Sequence, residues 1–130
     1  MENKDPVIER RVEAAKEFLG AYRVCEEMLG LRRYERKRAR IEEDEPRADI
    51  LAADELYWKT RMYEVQNLLG GMKNGREKIL LYYRYVRGES VERVSDLMGF
   101  SRRTGYRLFH RGLALVGLLL ERMEKRSGSA

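Results

Sequence analysis

The sequence has few of the residues on which many protein sites depend. It contains one cysteine, Cys25, and one histidine, His110, in 130 residues. A single cysteine excludes an intramolecular disulfide and a cysteine zinc site, and a single histidine excludes metal sites built on histidine pairs. No P-loop, carboxylate cluster or histidine dyad is visible. We therefore expect neither an enzyme nor a bound metal or cofactor.

Long apolar runs are also missing. The longest, Leu113–Leu120, is far shorter than the roughly 20 residues that a membrane-spanning helix needs. The first residues, MENKDPVIERR, are charged and lack the apolar core of a secretory signal. The sequence therefore predicts a cytoplasmic protein with no membrane partner. Only two prolines occur, which leaves long stretches free to form helix.

Charge is abundant and unevenly distributed. Residues 1–75 hold 15 Lys/Arg and 16 Asp/Glu, net −1, whereas residues 76–130 hold 12 and 6, net +6. Of the 27 basic residues 20 are arginine, which suits bidentate contact with phosphate and guanine. A basic C-terminal region favours a polyanionic partner such as nucleic acid, although a charge-rich helical protein without such a partner fits the composition equally well.

An apolar pattern predicts a first long helix. Asp5 is a suitable N-cap, and Pro6 fits the first helical position, where its missing N–H costs nothing. Gly30 predicts an end or a kink of this helix. Between these points apolar residues recur at spacings of three and four, as in a coiled-coil seam interrupted by Glu26: Ile8, Val12, Ala15, Leu19, Tyr22 and Leu29.

Two further helical segments follow. Residues 31–44 are mostly charged, and Pro46 is expected to end them because the residue before proline avoids the α region. The arginines between Arg32 and Arg40 are interpreted as solvated side chains held by spaced ion pairs, or alternatively as a second nucleic-acid contact. A helix over 49–69 has its own seam, with Glu55 in one slot, at Leu51, Trp58, Met62, Val65 and Leu69. The two seams predict a hairpin, formed within one chain or between chains.

Glycines mark the predicted domain boundary. Gly70-Gly71 and Asn74-Gly75 bracket a short break that coincides with the change in net charge. We predict a coiled-coil-like assembly module at residues 1–69, a linker at 70–75, a helix-turn-helix domain at 76–126 and a disordered tail at 127–130. The expected fold class is all-α.

The spacing of caps and apolar residues after residue 76 predicts a helix-turn-helix. A helix with Ile79, Leu80, Tyr83 and Val86 inward is expected to end at Arg87-Gly88. Ser90 then caps a helix over Val91–Met98, Gly99 ends it, and Ser101 caps the next helix. The predicted core residues of this motif are Val94, Met98, Phe100 and Leu108, with the small Ser95 where the two helices approach.

The second helix of this motif is the predicted recognition helix. Arg102 and Arg103 lie in its first turn, where cations oppose the helix dipole at a cost of about 0.3–1 kcal/mol each. Base edges and phosphates of DNA would supply the missing negative charge. His110 and Arg111 lie further along and are expected to contact phosphate. The full set of candidate DNA contacts is Ser90, Ser101, Arg102, Arg103, Thr104, Tyr106, Arg107, His110 and Arg111.

Residues 79–115 resemble the helix-turn-helix of sigma factor region 4, and more closely that of the ArpU/RinA-type phage transcriptional regulators. The family pattern is a Tyr-x-x-Gly turn, a capped helix, a glycine turn and Ser-x-x-Thr-apolar-Tyr-Arg-Leu. It corresponds here to Tyr85 with Gly88, Ser90, Gly99 and Ser101–Leu108. The resemblance implies a regulator of phage or prophage genes in a bacterial host cell, with double-stranded DNA as its partner. It leaves a contact with RNA polymerase open.

One residue departs from that pattern. Gly105 stands where the family places a β-branched apolar residue, so either Phe109 or Tyr82 fills the gap or the helix is loose before it meets DNA. The segment Leu113–Leu120 is apolar nearly all round and must be covered on more than one side, by the N-terminal seam or by a second chain. We therefore expect a homo-oligomer, with a dimer favoured.

The sequence also fits a second function. The small subunits of phage terminases, which recognise DNA for packaging, also join a helix-turn-helix to coiled-coil helices, and they assemble into rings. An alternative sigma factor is disfavoured because the chain has no room for a separate promoter-binding domain.

Overall fold

The computed structural model describes residues 5–128, and these residues form helices and no strand. The predicted all-α class is therefore confirmed. No helix within residues 5–128 combines the length and apolarity needed to cross a membrane. The elements are α1 (Pro6–Ile41), α2 (Glu45–Gly71), α3 (Arg76–Leu81), a π-helical segment (Tyr82–Val86), α4 (Val91–Met98) and α5 (Arg102–Gly128).

The chain divides into two compact units. The hairpin unit is Ala21–Asn67, and the helix-turn-helix unit consists of the residues up to Gly20 together with those from Leu68 onward. This division differs from the single predicted boundary at residues 70–75. The reason is that the first turns of α1 pack against α5, far away in sequence, and so belong to the helix-turn-helix unit.

Helix α1 begins as predicted and continues further than predicted. The Asp5 carboxylate accepts a hydrogen bond from the Val7 backbone N–H at 2.9 Å, as an N-cap does. The helix neither ends nor breaks at Gly30, because an isolated glycine costs only about 1 kcal/mol in a helix interior. The expected interruption of the seam at Glu26 was wrong, since Glu26 is exposed and Cys25 takes the buried position.

A tight turn joins α1 to α2. Glu43 adopts a left-handed conformation with φ 58°, and the Asp44 N–H donates to the Ala39 carbonyl at 2.8 Å. The Asp44 carboxylate then caps α2 by accepting from the Arg47 N–H at 3.2 Å. The prediction that Pro46 ends a helix, with the next one starting at residue 49, was wrong. Pro46 lies in the first turn of α2, where no N–H is needed.

Within the hairpin unit, α1 and α2 run antiparallel. Ala39, Ala48 and Leu51 form a buried cluster close to the turn. At the other end of the unit, the Gln66 amide donates to the Tyr22 hydroxyl at 3.1 Å. The seams of α1 and α2 therefore pair within one chain, which is one of the two arrangements that the sequence predicts.

The basic run of α1 takes part in this helix pairing. The Arg32 guanidinium donates a hydrogen bond to the Asp54 carboxylate and another, of 2.8 Å, to the Glu35 carboxylate. Arg36 binds Glu55 with two hydrogen bonds. These arginines therefore form ion pairs, as the first of the two interpretations expected, but they are half-buried between α1 and α2 and not on a solvated face. Their charge is balanced inside the hairpin unit.

The core of the helix-turn-helix unit is apolar and small. Leu80, Val94 and Leu108 form its buried centre, with Met98, Phe100 and Phe109 packed against it. The expectation that Ile79 and Tyr83 point inward was wrong, since both are exposed and Leu81 is fully buried instead. Leu81 packs against Gly112 of α5, where a Cβ would lie 3.1 Å from the Leu81 Cδ1. From Tyr82 the chain continues as π-helix, with the Arg87 N–H donating to the Tyr82 carbonyl at 3.2 Å.

Helix α1 covers the apolar segment of α5. A Cβ at Gly117 would lie 2.3 Å from the Arg11 carbonyl oxygen, so the two helix backbones are in direct contact. The Arg11 guanidinium also binds the Glu121 carboxylate with two hydrogen bonds of 3.0 and 3.1 Å. One side of Leu113–Leu120 is thus covered by the chain's own N-terminal seam.

Helix α5 ends later than predicted. It continues through Gly128, so the tail expected to be disordered from residue 127 is helical at residues 127 and 128. Lys125 and Arg126 in its last turn favour this extension because cations stabilise a helix C-terminus. Residues 129 and 130 of that predicted tail lie outside the described residues.

Candidate nucleic-acid interface

Two capped helices joined by three residues form the candidate site. The Ser90 hydroxyl accepts from the Arg93 N–H at 3.1 Å and caps α4. Gly99 ends α4 in the left-handed region with φ 76°, which a glycine adopts without strain. The Phe100 N–H then returns to the Ser95 carbonyl at 2.8 Å, and Ser101 starts α5. These are the helix ends that the sequence predicts for a helix-turn-helix.

The crossing of α4 and α5 depends on two small residues. Ser95 is completely buried, and its hydroxyl donates to the Val91 carbonyl at 2.7 Å. A Cβ built on Gly105 would lie 1.8 Å from the Ser95 Oγ and 2.9 Å from its Cβ. The expectation that Phe109 or Tyr82 fills a gap beside Gly105 was therefore wrong. Ser95 occupies that space, so the glycine allows a close helix crossing and leaves no cavity to loosen the helix.

Serine and threonine fix the start of α5. The Ser101 hydroxyl accepts from the Thr104 N–H at 3.1 Å and donates to the Thr104 hydroxyl at 3.0 Å. Thr104 is half-buried, whereas Ser101 is exposed. Ser101 therefore caps α5 as predicted, and Thr104 is the residue whose N–H and hydroxyl it binds.

Two arginines on the outer face of α5 are exposed and unpaired. Arg103 and Arg107 are one turn apart, so their side chains extend from the same face of the helix. Neither has an ion-pair or hydrogen-bond partner among residues 5–128. Two cations near a helix N-terminus, with no carboxylate to balance them, create a positive surface that attracts an anion.

The neighbouring candidates are held by acidic residues of α4. Arg102 forms an ion pair with Asp96 at 3.6 Å. The Tyr106 hydroxyl donates to the Glu92 carboxylate, and this bond raises the pKa of Tyr106 and lowers the pKa of Glu92. Both side chains are exposed, so α4 orients Arg102 and Tyr106 on the surface next to the unpaired arginines.

The two candidates further along α5 have partners of their own. His110 lies 3.5 Å from Glu9 of α1, and Arg111 lies 3.5 Å from Glu77 of α3. A phosphate contact by either residue would compete with a carboxylate already in place. Among residues 5–128 the structure therefore separates Arg103 and Arg107, which have no partner, from Arg102, His110 and Arg111, which lie beside carboxylates.

No protein family model, curated protein or solved structure was found to match this chain. Within residues 5–128, no group of three or more His, Cys, Asp or Glu side chains is arranged to hold a metal ion.

Two basic residues that the sequence prediction left out border the same surface. Lys16 of α1 and Arg84 of the π-helical segment line a groove that also includes Gly88, Ser90 and Tyr106. Arg84 stacks over the Tyr85 ring, with its guanidinium carbon 5.7 Å from the ring centre. No local pattern marks Lys16, because at least 68 residues separate it from the groove's other residues. The sequence prediction left out Arg84 because this residue lies in a segment that was expected to be ordinary α-helix.

Proposed function

We propose that this protein is a DNA-binding transcriptional regulator that reads the major groove with the first turns of α5. The observation that carries the proposal is the pair Arg103 and Arg107, exposed on one face of the helix and without partners among residues 5–128. In helix-turn-helix proteins the N-terminal residues of the second helix reach the base edges. Arginine binds guanine through its O6 and N7 atoms, and it binds phosphate equally well.

The distribution of charge supports the same proposal. The helix-turn-helix unit carries 17 Lys/Arg and 11 Asp/Glu, net +6, and the hairpin unit carries 10 and 11, net −1. Positive charge therefore belongs to the unit with the exposed arginines. Attraction to the DNA backbone would supply sequence-independent affinity, and base contacts from α5 would supply specificity.

The family resemblance gives this proposal its biological setting. The chain's likeness to ArpU/RinA-type regulators rests on the Ser90, Gly99 and Ser101 positions, which form the caps and the turn. On that basis we propose phage or prophage genes as the targets, in the cytoplasm of a bacterial host, with RNA polymerase as a further contact.

Selection of bound fragments from random double-stranded DNA tests the proposal. We expect the protein to recover one consensus sequence, and we expect the Arg103→Ala, Arg107→Ala double variant to lose it. Recovery of unrelated fragments by the unaltered protein would contradict a sequence-specific regulator. A solution mass of eight or more subunits would also contradict it, because a ring is typical of a terminase small subunit.

A further inference from the structure

The hairpin unit exposes large apolar side chains along one side. On α1, Leu31 lies seven residues after Val24, and on α2, Tyr57 lies seven residues after Ile50. All four are at least 47% exposed, and Ile50 reaches 71%. We refer to these residues as the apolar stripe: Val24, Leu31, Ile50 and Tyr57.

Ion pairs place the two parts of the stripe on the same side of the hairpin. On α1, Leu31 and Glu35 are four residues apart and lie on one ridge of the helix. On α2, Arg47, Ile50, Asp54 and Tyr57 follow each other at spacings of three and four, so they also form one ridge. Glu35 pairs with Arg47 at 4.0 Å, and Arg32, next to Leu31 in sequence, bonds Asp54. The two ridges are therefore neighbours.

The stripe supplies about half the area that a stable interface requires. Four large side chains, each about half exposed or more, amount to roughly 400 Å², against about 800 Å² per partner in a standard interface. Exposed apolar patches of this size commonly mark interaction sites. The polar residues bordering the stripe can supply the remaining area as the rim of an interface.

We propose that the apolar stripe binds the same stripe of a second copy of this chain, so that two hairpins form a four-helix bundle. Heptad spacing is the periodicity with which helices pack side by side, and two hairpins with apolar faces form such a bundle. The near-zero net charge of the hairpin unit permits self-association, and it does not favour a strongly charged partner such as nucleic acid or an anionic membrane. This inference rests on the hairpin unit alone and does not depend on DNA binding.

The test is the solution mass of the full chain without DNA, measured by sedimentation equilibrium from about 1 to 100 µM. We expect a dimer of twice 15.4 kDa for the unaltered protein. Ile50→Glu and Leu31→Glu should each convert it to monomer, because a dimer would bury the introduced carboxylate without a partner. Ile50→Lys tests the same position with the opposite charge, so that a new ion pair cannot explain the result.

A matched control lies on the same helix. Leu56 is 64% exposed. It is six residues from Ile50 in sequence, which places it about 120° around α2 from Ile50. We expect Leu56→Glu to remain a dimer. Far-UV circular dichroism of each variant verifies that it retains its helices, and a variant that loses them is replaced by the serine substitution at the same position.

Several results would overturn the inference. They are a monomeric unaltered protein at 100 µM, a ring or any assembly larger than a dimer, and a dimer that survives the stripe substitutions. Dissociation by Leu56→Glu with retention of the dimer in Ile50→Glu would assign the interface to another surface. Because no DNA is present, a monomer or a dimer that survives the stripe substitutions would overturn this inference and leave the regulator proposal untouched, whereas a ring of eight or more subunits would contradict both.

Discussion

Ser95 and Gly105 form a close helix crossing in which only one of the two residues has room for a side chain. The Ser95 side chain occupies the position that a Cβ on Gly105 would take, at 1.8 Å from the Ser95 Oγ. This crossing sets the position of α5, and therefore of Arg103, relative to α4. It also explains why a glycine stands inside the recognition helix.

Gly105→Ala is expected to destabilise the protein by about 1–2 kcal/mol. Alanine gains about 1 kcal/mol in helix propensity over glycine, and an extra methyl in a filled site costs more than that. Urea unfolding measures the difference. The control is Gly20→Ala, where no atom lies within 4 Å of the new Cβ, and this variant should become more stable.

The pairing of these two residues can be tested by a double-mutant cycle. Ser95→Gly removes the side chain that blocks position 105, so the double variant with Gly105→Ala should be more stable than the sum of the two single effects implies. We expect a favourable coupling of about 1 kcal/mol or more. Additive effects would show that the two residues do not share one space.

Glu43→Gly is expected to stabilise the protein by roughly 0.5–1 kcal/mol. Glu43 is the only non-glycine residue among those described with a positive φ, at 58°. A left-handed conformation costs an L-residue about 1–2 kcal/mol, and the greater freedom of glycine in the unfolded chain offsets part of the gain. The measurement is urea unfolding: the urea concentration at half-unfolding should rise, while the slope of the unfolding free energy against urea stays the same. Glu42→Gly, at a neighbouring turn position without positive φ, should bring no gain.

The Arg11–Glu121 pair predicts a dependence of stability on pH. The hydrogen bond from Arg11 lowers the pKa of Glu121, so this carboxylate stabilises the fold above its unfolded pKa of about 4.3. That contribution is lost as the pH falls through the folded pKa. Thermal unfolding of the unaltered protein and of Glu121→Gln should therefore differ at pH 7 and converge below about pH 4. An equal gap at pH 7 and pH 3 would contradict this account, and Glu124→Gln serves as the exposed control.

The sequence predicts those parts of the fold that local chemistry determines. Ser90, Gly99 and Ser101 mark the ends of α4 and α5 correctly, because a cap or a left-handed turn depends on residues only a few positions away. The buried positions of Val94 and Leu108 follow from the same short-range spacing. The exposure of Arg103 and Arg107 likewise follows from helical periodicity once the start of α5 is known.

Long-range contacts could not be predicted in the same way. The reason for Gly105 is the position of Ser95 on another helix, and the reason for Gly117 is the backbone of Arg11, more than a hundred residues earlier. Leu81 is buried against Gly112 of α5, and no local residue pattern marks either this contact or the π-helical segment from Tyr82. The partners of His110 and Arg111 also come from distant helices, so their ion pairs were not visible in the sequence.

The DNA-binding proposal makes a distinct prediction for each arginine. If Arg103 or Arg107 reads a base, its substitution by alanine should weaken specific binding by about 1–3 kcal/mol and relax the preference at one position. A phosphate contact would instead weaken binding to all sequences about equally and reduce the salt slope by about one. Arg122→Ala removes the same charge from an exposed position five turns along α5 and is the matched control.

The most direct measurement is the affinity of the Arg103→Ala, Arg107→Ala double variant for the selected DNA, compared with that of Arg122→Ala at the same moderate salt concentration. We expect a loss of at least tenfold for the double variant. Arg122→Ala should remain close to the unaltered protein. Equal affinity of the double variant and the unaltered protein would contradict the assignment of α5 as the recognition helix.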